Sequence, residues 1–219
     1  MDSNFVAYDC HPPHPTGPRF DSAHLHVLAS PAIDVELDFI TGQGVTLMDH
    51  LFQALGLESI SDNVFKLIDQ DWMLITAGPP MHYNTMTANW GGVGNLWNRK
   101  MSFCFVRPQR YTYQFLEGSP TFSLAFFAER YRPALQLCGS RSGREIDKAA
   151  ASGLTPLEIT PGITSFAEAR LVLECRKIYF QDINPANFVD PSIADIYPTH
   201  DYHRMYIGEI HHCWAGRAA

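Results

Sequence analysis

The chain has 219 residues, and its 16 Lys and Arg against 23 Asp and Glu give a formal net charge of −7. This length fits one domain, and the acidic balance excludes a uniformly basic nucleic-acid-binding protein. Hydrophobic residues make up 46% and charged residues 18%, which excludes wholesale disorder. Because no apolar run approaches the ~18 residues of a membrane helix and no secretory signal opens the chain, we expect a cytoplasmic protein without a membrane partner.

The first part of the chain predicts an N-terminal extension. Residues 1–22 are rich in Pro and His, which favours an extended arm or a disordered tail. Residues 24–40 alternate between apolar and acidic side chains around a turn at Ser30-Pro31-Ala32, which predicts a hairpin. A helix is expected to begin at Thr46 and to end at Gly56, and Ser61 is expected to cap a second short helix that runs through Ile68.

From residue 72 onward the pattern predicts strands. They are expected at residues 72–76, 83–90, 101–106, 121–127, 167–180 and 203–214. Helices are expected at 111–116 and near 131–138, a glycine loop at 91–94, and a polar loop through 148. Short strands with a few helices and no regular βαβ alternation favour a mostly antiparallel β-barrel with helical insertions.

The cysteines are odd in number and widely spaced, without a CxxC pair. This argues against a disulfide framework or a zinc knuckle and favours a reducing compartment. Each cysteine is interpreted as a small buried hydrophobe. The positions are Cys10, Cys104, Cys138, Cys175 and Cys213. His211 and His212 are adjacent on a strand and so point to opposite faces, and no metal site is predicted.

Charge is concentrated in one segment. Residues 99–148 hold nine basic and four acidic side chains, whereas residues 1–98 have a net charge of −9 and residues 149–219 of −3. One basic stretch in an acidic chain predicts a local anion site, with scattered surface arginines as the alternative.

Three polar segments lie in or beside this stretch. On the strand at 83–90, Thr85, Thr87 and Asn89 would share a face suited to a planar heterocycle, although Thr is also an ordinary strand residue. The segment 107–112 ends a strand and begins a helix, where N–H groups, guanidinium forks and a hydroxyl suit a terminal phosphate. An ordinary helix cap with solvated arginines is the alternative there. The loop at 138–148 carries two serines and two arginines and again suits an anion.

A further candidate precedes the last strand. His203 and Arg204 could meet the phosphate of a nicotinamide dinucleotide or an acidic substrate. The alternative is a surface pair in a dimer contact.

The chain resembles the flavin reductase-like family in four segments, from about Val64 to His211. They are Asn84-Thr85-Met86-Thr87-Ala88-Asn89-Trp90, Arg107-Pro108-Gln109-Arg110-Tyr111-Thr112, Cys138-Gly139-Ser140-Arg141-Ser142-Gly143-Arg144 with Asp147-Lys148, and Tyr206-Ile207-Gly208-Glu209-Ile210. The resemblance implies the FMN-binding split β-barrel fold, of Greek-key type, over residues 61–219, after an extension over residues 1–60.

The resemblance also implies a homodimer with FMN at the subunit interface. The strand that contacts the isoalloxazine would do so through Thr85, Met86, Thr87, Ala88, Asn89 and Trp90. The remaining cofactor-binding residues would be Arg107, Arg110 and Thr112 at the phosphate, Ser140 and Ser142 in the helping loop, Tyr111, and Lys148 near the flavin.

The function expected from this resemblance is NAD(P)H-dependent flavin reduction, with hydride transferred through N5 of FMN, or electron transfer to a small-molecule acceptor. No catalytic side chain is required, because the cofactor carries the chemistry. A non-catalytic FMN electron carrier or sensor is the first alternative. A barrel that has lost its flavin and a pyridoxamine-phosphate oxidase of related fold are further alternatives.

Overall fold

The computed structural model describes residues 47–217. The predicted arm, the predicted hairpin and Cys10 lie outside the described residues. The helices are α1 (Leu47–Leu51), α2 (Tyr111–Gly118), α3 (Arg132–Ser140) and α4 (Lys148–Ser152). The strands are β1 (Phe52–Ala54), β2 (Met73–Ala77), β3 (Asn84–Ala88), β4 (Gly91–Leu96), β5 (Arg99–Val106), β6 (Thr121–Phe126), β7 (Pro156–Thr160), β8 (Ile163–Phe166), β9 (Leu171–Asp182) and β10 (Arg204–Gly216). Short 3-10 helices occur at Leu57–Ser59, Glu129–Tyr131, Pro185–Asn187 and Pro191–Ile196, and a π-helical turn occurs at Lys66–Gln70.

Most strands join one antiparallel sheet in the order β3-β2-β6-β9-β10-β5-β4. The long β10 pairs with β9 on one side. On its other side it pairs first with β5 and then, at its end, with β1. A separate hairpin is formed by β7 and β8. The predicted class, mostly antiparallel β with helical insertions, is confirmed.

The sheet buries apolar side chains on both faces. Ile75, which is fully buried, belongs to a cluster that includes Met86 and Tyr206. Its neighbour Leu74, also fully buried, points the other way and packs in a cluster with residues of α3 and of β8, such as Leu135 and Phe166. Helices α1, α3 and α4 therefore lie on the face of Leu74, whereas α2 packs Leu116 in the cluster of Ile75 on the other face. The loop at 138–148 lies against the edge strand β3.

The helix predicted from Thr46 to Gly56 is too long. The structure ends α1 at Leu51, and Phe52–Ala54 become β1, which pairs with β10 from Trp214 to Gly216. In an extended conformation these residues form hydrogen bonds with the otherwise unpaired edge of β10, while Phe52, 2% exposed, stays in the core. The domain boundary at residue 60 stays a prediction.

The loop predicted at residues 91–94 is wrong, because these residues begin β4 and pair with β5. A Cβ atom at Gly91 would lie 2.6 Å from the carbonyl oxygen of Phe103, so glycine permits the close approach of the two strands. The β4–β5 turn uses Trp97 and Asn98 at positive φ, as a two-residue hairpin requires.

The remaining predicted elements agree with the structure in part. The second short helix exists at Lys66–Gln70, but its first turn is capped by Asn63, whose side chain accepts from the Lys66 N–H at 3.1 Å. The β7–β8 hairpin and α4 had no predicted counterpart.

The four described cysteines are buried and free, as interpreted. Among residues 47–217, no helix has both the length and the apolar character needed to cross a bilayer.

Candidate functional site

Three predicted polar segments meet where β3, the start of α2 and the loop at 138–148 come together. The Asn84 side chain, at the start of β3, donates to the Thr112 hydroxyl in the first turn of α2 at 2.7 Å. A Cβ atom at Gly143 would lie only 2.0 Å from the Asn84 amide oxygen, so the loop backbone lies directly against this pair. Residues far apart in sequence therefore form one local structure.

Strand β3 shows the predicted alternation. Met86 and Ala88 lie in the core below the sheet, and Thr85 and Thr87 point away from it. Thr85 is fully buried, and its hydroxyl lies 2.8 Å from the Thr76 hydroxyl. Thr87 donates to the Leu135 carbonyl of α3. Both hydroxyls are thus engaged within the protein, and a ligand would meet this strand mainly through its backbone.

The end of this strand is open to solvent. Asn89 is exposed, and Trp90 is 40% exposed. The indole of Trp90 lies 4.9 Å from the His203 ring, centroid to centroid. Asn89 and Trp90 can therefore contact a ligand directly.

Lys148 lies under the site at the start of α4. Its ammonium group donates to the Thr85 carbonyl at 2.8 Å and to the Cys138 carbonyl at 2.7 Å. The side chain is buried, and burial lowers the pKa of Lys148 to about 8, with nearby Arg110 adding to the shift and Cys138 opposing it. Two of the three N–H donors are engaged, so one is left for a ligand.

Two arginines flank this lysine. Arg110 donates to the Gly139 carbonyl at 2.6 Å, and Arg144 stacks with its guanidinium carbon 4.5 Å from the centroid of the Tyr111 ring. Burial lowers the pKa of Arg110, and the neighbouring Arg107 lowers it further. We call Arg110, Arg144 and Lys148 the cation cluster. None of the three pairs with a carboxylate among the described residues.

Arg107 differs from the cation cluster. It forms an ion pair with Asp201 at 2.6 Å and donates to the Ile196 carbonyl at 3.2 Å. Hydrogen bonds from Arg107 and Gln109 lower the pKa of Asp201 to about 2. A phosphate contact by Arg107 stays a prediction, and it would compete with this carboxylate.

The two serines of the loop also differ from each other. The exposed Ser140 donates to the Gln136 carbonyl at 2.8 Å within α3. The Ser142 hydroxyl accepts from the Arg144 N–H at 3.2 Å, so its own hydrogen remains available to a ligand. Ser142 is therefore the better placed of the two.

A cleft of about 340 Å³ opens beside these groups. Its walls include Tyr83, Asn84, Tyr111, Gly143 and Lys148. Cations without carboxylate partners, a glycine that keeps backbone within reach and an aromatic ring together fit the phosphate and ring of a flavin mononucleotide.

His203 and Arg204, at the start of β10, are held by more contacts within the protein than the sequence indicated. His203 is buried, its Nδ1 lies 3.0 Å from the Tyr197 hydroxyl, and burial with nearby Arg107 lowers its pKa to about 4. Arg204 forms a two-pronged ion pair with Asp182, at 2.6 and 2.8 Å, and a third bond to Glu117. A substrate-binding role for this pair stays a prediction.

Sequence reasoning did not select Asn84, Gly143 or Arg144 as site residues, although all three lie within the quoted segments. Asn84 works through its bond to Thr112, and Gly143 through the absence of a side chain. The signal was available for Arg144, since it lies in the basic loop, but not for the other two.

Comparison with known proteins identifies one family and several solved structures that share the fold. The model of the flavin reductase like domain matches residues 66–219. No curated protein matches the sequence.

Solved structures share the fold at low identity. A flavin reductase-like FMN-binding domain from Shewanella baltica has a TM-score of 0.54 at 17% identity, covering 75% of this chain and 76% of that one. An FMN-binding protein from Thermus thermophilus, with bound p-hydroxybenzaldehyde, has 0.53 at 18%, covering 83% of each. An NADH:FAD oxidoreductase from Streptomyces globisporus has 0.51 at 17%, covering 67% and 78%. Because the family model covers more than half of the residues, the chain belongs to the flavin reductase-like family, and its cleft supports a flavin-binding function of the oxidoreductase type.

Proposed function

We propose that this protein is an NAD(P)H-dependent flavin reductase that holds FMN against the cation cluster. The observation that carries the proposal is the convergence of three family segments on cations that lack carboxylate partners. Arg204 and Arg170, by contrast, are each paired with two carboxylates. Cations left unpaired in a cleft favour an anion from outside.

The residues of the cleft have distinct parts in this proposal. Arg110 and Arg144 would bind the phosphate. The Thr112 hydroxyl is fully buried and accepts from Asn84, so it would act by holding the Asn84 side chain in place. The third N–H of Lys148 would donate to the ligand from below the site. When bound, the flavin would supply hydride acceptance at N5 and release of one or two electrons. The protein needs no acid–base side chain for that chemistry.

A nicotinamide donor is expected to enter beside Trp90 and His203. The low pKa of His203 keeps its ring uncharged at neutral pH, and the bond of Nδ1 to Tyr197 fixes the ring orientation. A neutral imidazole next to an exposed indole favours contact with a planar ring over contact with a phosphate. The name of the Streptomyces protein, an NADH:FAD oxidoreductase, supports a nicotinamide donor for this chain as well.

A homodimer with FMN at its interface belongs to the same proposal. Large apolar side chains remain exposed: Trp97 at 54%, Tyr179 at 39% and Phe180 at 49%. The ring of Trp97, in the β4–β5 turn, lies 6.0 Å from the ring of Tyr179, in β9. Contiguous exposed rings are typical of surfaces that a partner covers, and a second copy of this chain is the partner we propose.

The test is anaerobic mixing of the FMN-loaded protein with NADH and, separately, NADPH. Bleaching of the visible flavin band within the time of turnover is the expected result, with size-exclusion light scattering giving twice the chain mass. If FMN binds but neither nucleotide bleaches it, the protein is a flavin carrier. If purified protein binds no FMN at all, the proposal fails.

A further inference from the structure

A long loop, residues 183–203, joins β9 to β10. It contains two short 3-10 helices and otherwise has no regular structure, and loops of more than about 15 residues are uncommon and often functional. Its own rings hold it together, because Tyr197 lies 6.2 Å from Phe188 and 4.9 Å from Tyr202, centroid to centroid. We call residues 183–203 the aromatic loop.

The last residue of the aromatic loop lies at the open end of β3. This residue is His203, whose ring lies 4.9 Å from the Trp90 indole. Within the loop, its Nδ1 lies 3.0 Å from the Tyr197 hydroxyl, and its backbone carbonyl accepts from the Ile183 N–H at 2.9 Å. The position of the aromatic loop therefore determines where the His203 ring lies relative to Trp90.

Arg107 fastens the aromatic loop to the sheet. It directly follows β5, the strand that pairs with the start of β10. Its guanidinium forms an ion pair with Asp201 at 2.6 Å and donates to the Ile196 carbonyl at 3.2 Å, and its carbon lies 5.2 Å from the centroid of the Tyr197 ring. All three contacts are with the aromatic loop. A guanidinium is suited to such a bridge, because its donors form a rigid planar fork.

These contacts distinguish Arg107 from Arg110, which lies three residues further along the chain. Arg110 donates to the Gly139 carbonyl and has no carboxylate partner among the described residues. The carboxylate partner of Arg107 is charged at neutral pH, since the hydrogen bond from Arg107 is the main cause that lowers the pKa of Asp201 to about 2. A phosphate at Arg107 would have to displace a group of its own sign, whereas at Arg110 it would not.

We propose that Arg107 is a positioning residue for the nicotinamide donor and does not bind the flavin phosphate. It holds the aromatic loop so that the His203 ring stays beside Trp90, where the donor is expected to enter. The inference rests on the proposed function, and it departs from the phosphate role that the family resemblance implies for Arg107.

The first test separates the flavin phosphate from the flavin ring. Riboflavin is FMN without its phosphate, so the ratio of the riboflavin to the FMN dissociation constant reports the contacts to the phosphate. Measured by quenching of flavin fluorescence, this ratio should change less than about twofold in Arg107→Met and fall about tenfold or more in Arg110→Met.

Asp201→Asn gives the same test an opposite sign. If Asp201 only competed with the phosphate for Arg107, removal of its charge would tighten FMN and raise the ratio of the two dissociation constants. If Arg107 holds the aromatic loop, the ratio should stay within about twofold of the unaltered protein, and the loop should loosen as it does in Arg107→Met.

The second test follows the loop and the donor. In Arg107→Met, amide hydrogen exchange in residues 183–203 should accelerate by about tenfold or more, with no acceleration in Arg110→Met. In the FMN-loaded protein, the nucleotide concentration that gives half the limiting rate of bleaching should rise about fivefold or more. Arg107→Lys keeps the charge beside Asp201 but not the fork, so it should restore part of each effect.

Arg176→Met is the matched control. Arg176 also forms an ion pair with a carboxylate at 2.6 Å, with Glu209, but lies on the exposed part of β9. The flavin ratio, the exchange of the loop and the dependence on nucleotide should all remain unchanged in this variant. If Arg107→Met does not fold, Arg107→Lys and Asp201→Asn provide the comparison.

The outcomes separate this inference from the proposed function. A flavin ratio that falls as far in Arg107→Met as in Arg110→Met would overturn the inference and leave flavin reduction intact, and so would unchanged exchange in the aromatic loop. If neither nucleotide bleaches the unaltered protein, the proposed function fails. The flavin ratio and the loop exchange then still decide whether Arg107 holds the loop or the phosphate.

Discussion

The arginines near the two ends of α2 differ in whether they have carboxylate partners. At its first turn, Arg110 and Arg144 have no carboxylate partner among the described residues, and the pKa of Arg110 is lowered by burial. At its last turn, Glu117 pairs with Arg204, and hydrogen bonds to Asp182 help to raise the pKa of Arg204. Cations at the first end gain from an external anion, whereas Arg204 already has its counterions. The first end is suited to binding and the second to stability.

The paired end also fixes the position of the helix. The Tyr206 hydroxyl, buried in the core, donates to Glu117 at 2.7 Å, and Lys177 donates to the Leu116 and Glu117 carbonyls at the helix end. Anchoring the last turn of α2 in this way orients its first turn toward the cleft. This contrast predicts that substitutions at the two ends will change different measured quantities.

The largest effect is expected from Glu117→Leu. It leaves the Tyr206 hydroxyl without its acceptor and removes one counterion of Arg204. We expect the free energy of unfolding to fall by about 1–4 kcal/mol, of which about 1–3 comes from leaving the buried Tyr206 hydroxyl without an acceptor and up to about 1 from the partly exposed ion pair. Urea denaturation measures it, with Glu145→Leu, which removes an exposed carboxylate from a surface ion pair, as the control. An unchanged midpoint would show that this end of α2 has no anchoring role.

The next effect concerns the unpaired end. Arg110→Met removes a cation whose contact with an anion is worth about 1.5–3 kcal/mol. We therefore expect FMN affinity to fall about 10- to 150-fold. The free energy of unfolding should remain within about 0.5 kcal/mol, because the protein loses only one bond to a carbonyl and gains relief from burial of a charge. Arg141→Met, in the loop at 138–148 and paired with Glu145, is the control and should change affinity little.

The pH dependence of flavin binding tests Lys148. With a pKa of about 8, its ammonium is charged at pH 7 and loses its charge as the pH rises through 8. An anion favours the charged form, so the FMN dissociation constant should increase by up to about tenfold between pH 7.5 and roughly one unit above the pKa.

Two controls sharpen that measurement. Lys148→Met should bind FMN more weakly and without this pH dependence. In the flavin-free protein, by contrast, a rising pH should increase the stability of the fold. The folded pKa lies below the ordinary value of 10.5, so the free energy of unfolding should rise as the pH goes from about 8 toward that value. A flat binding profile in the unaltered protein would place Lys148 outside the anion site.

The smallest effect distinguishes the two serines of the loop. The Ser140 hydroxyl donates within its own helix, so Ser140→Ala should change FMN affinity less than twofold. Ser142→Ala removes a free donor beside Arg144, and about 1 kcal/mol, or roughly fivefold, is expected. Titration of both variants with FMN under one set of conditions provides the comparison, and the reverse ranking would contradict the assignment.

The sequence predicted the polar segments better than it predicted their geometry. Alternation along residues 83–90 indicated which side chains share a face, and the structure confirms it for Thr85 and Thr87. It could not show that their hydroxyls are bonded internally, because Thr76 and Leu135 come from other elements. The ion pair of Arg107 with Asp201 was hidden for the same reason, since 94 positions separate the two residues.

Glycines were the main source of error in the fold. At residues 91–94 they were interpreted as a loop, but they belong to a strand that lies close to Phe103. Local sequence does not distinguish a glycine that permits a turn from one that permits close contact, because both uses depend only on a missing side chain. Gly143, pressed against Asn84, belongs to the second kind.

The pairing of β1 with the end of β10 determines where the chain can be shortened. The family model begins at residue 66, yet Phe52–Ala54 cover backbone groups of Trp214 to Gly216 that would otherwise face solvent. A chain starting at residue 61 would present an uncapped strand edge, and open edges recruit other chains into aggregates. A fragment chosen from the family boundary alone should therefore form aggregates larger than the proposed dimer, and one that retains residues 47–54 should not.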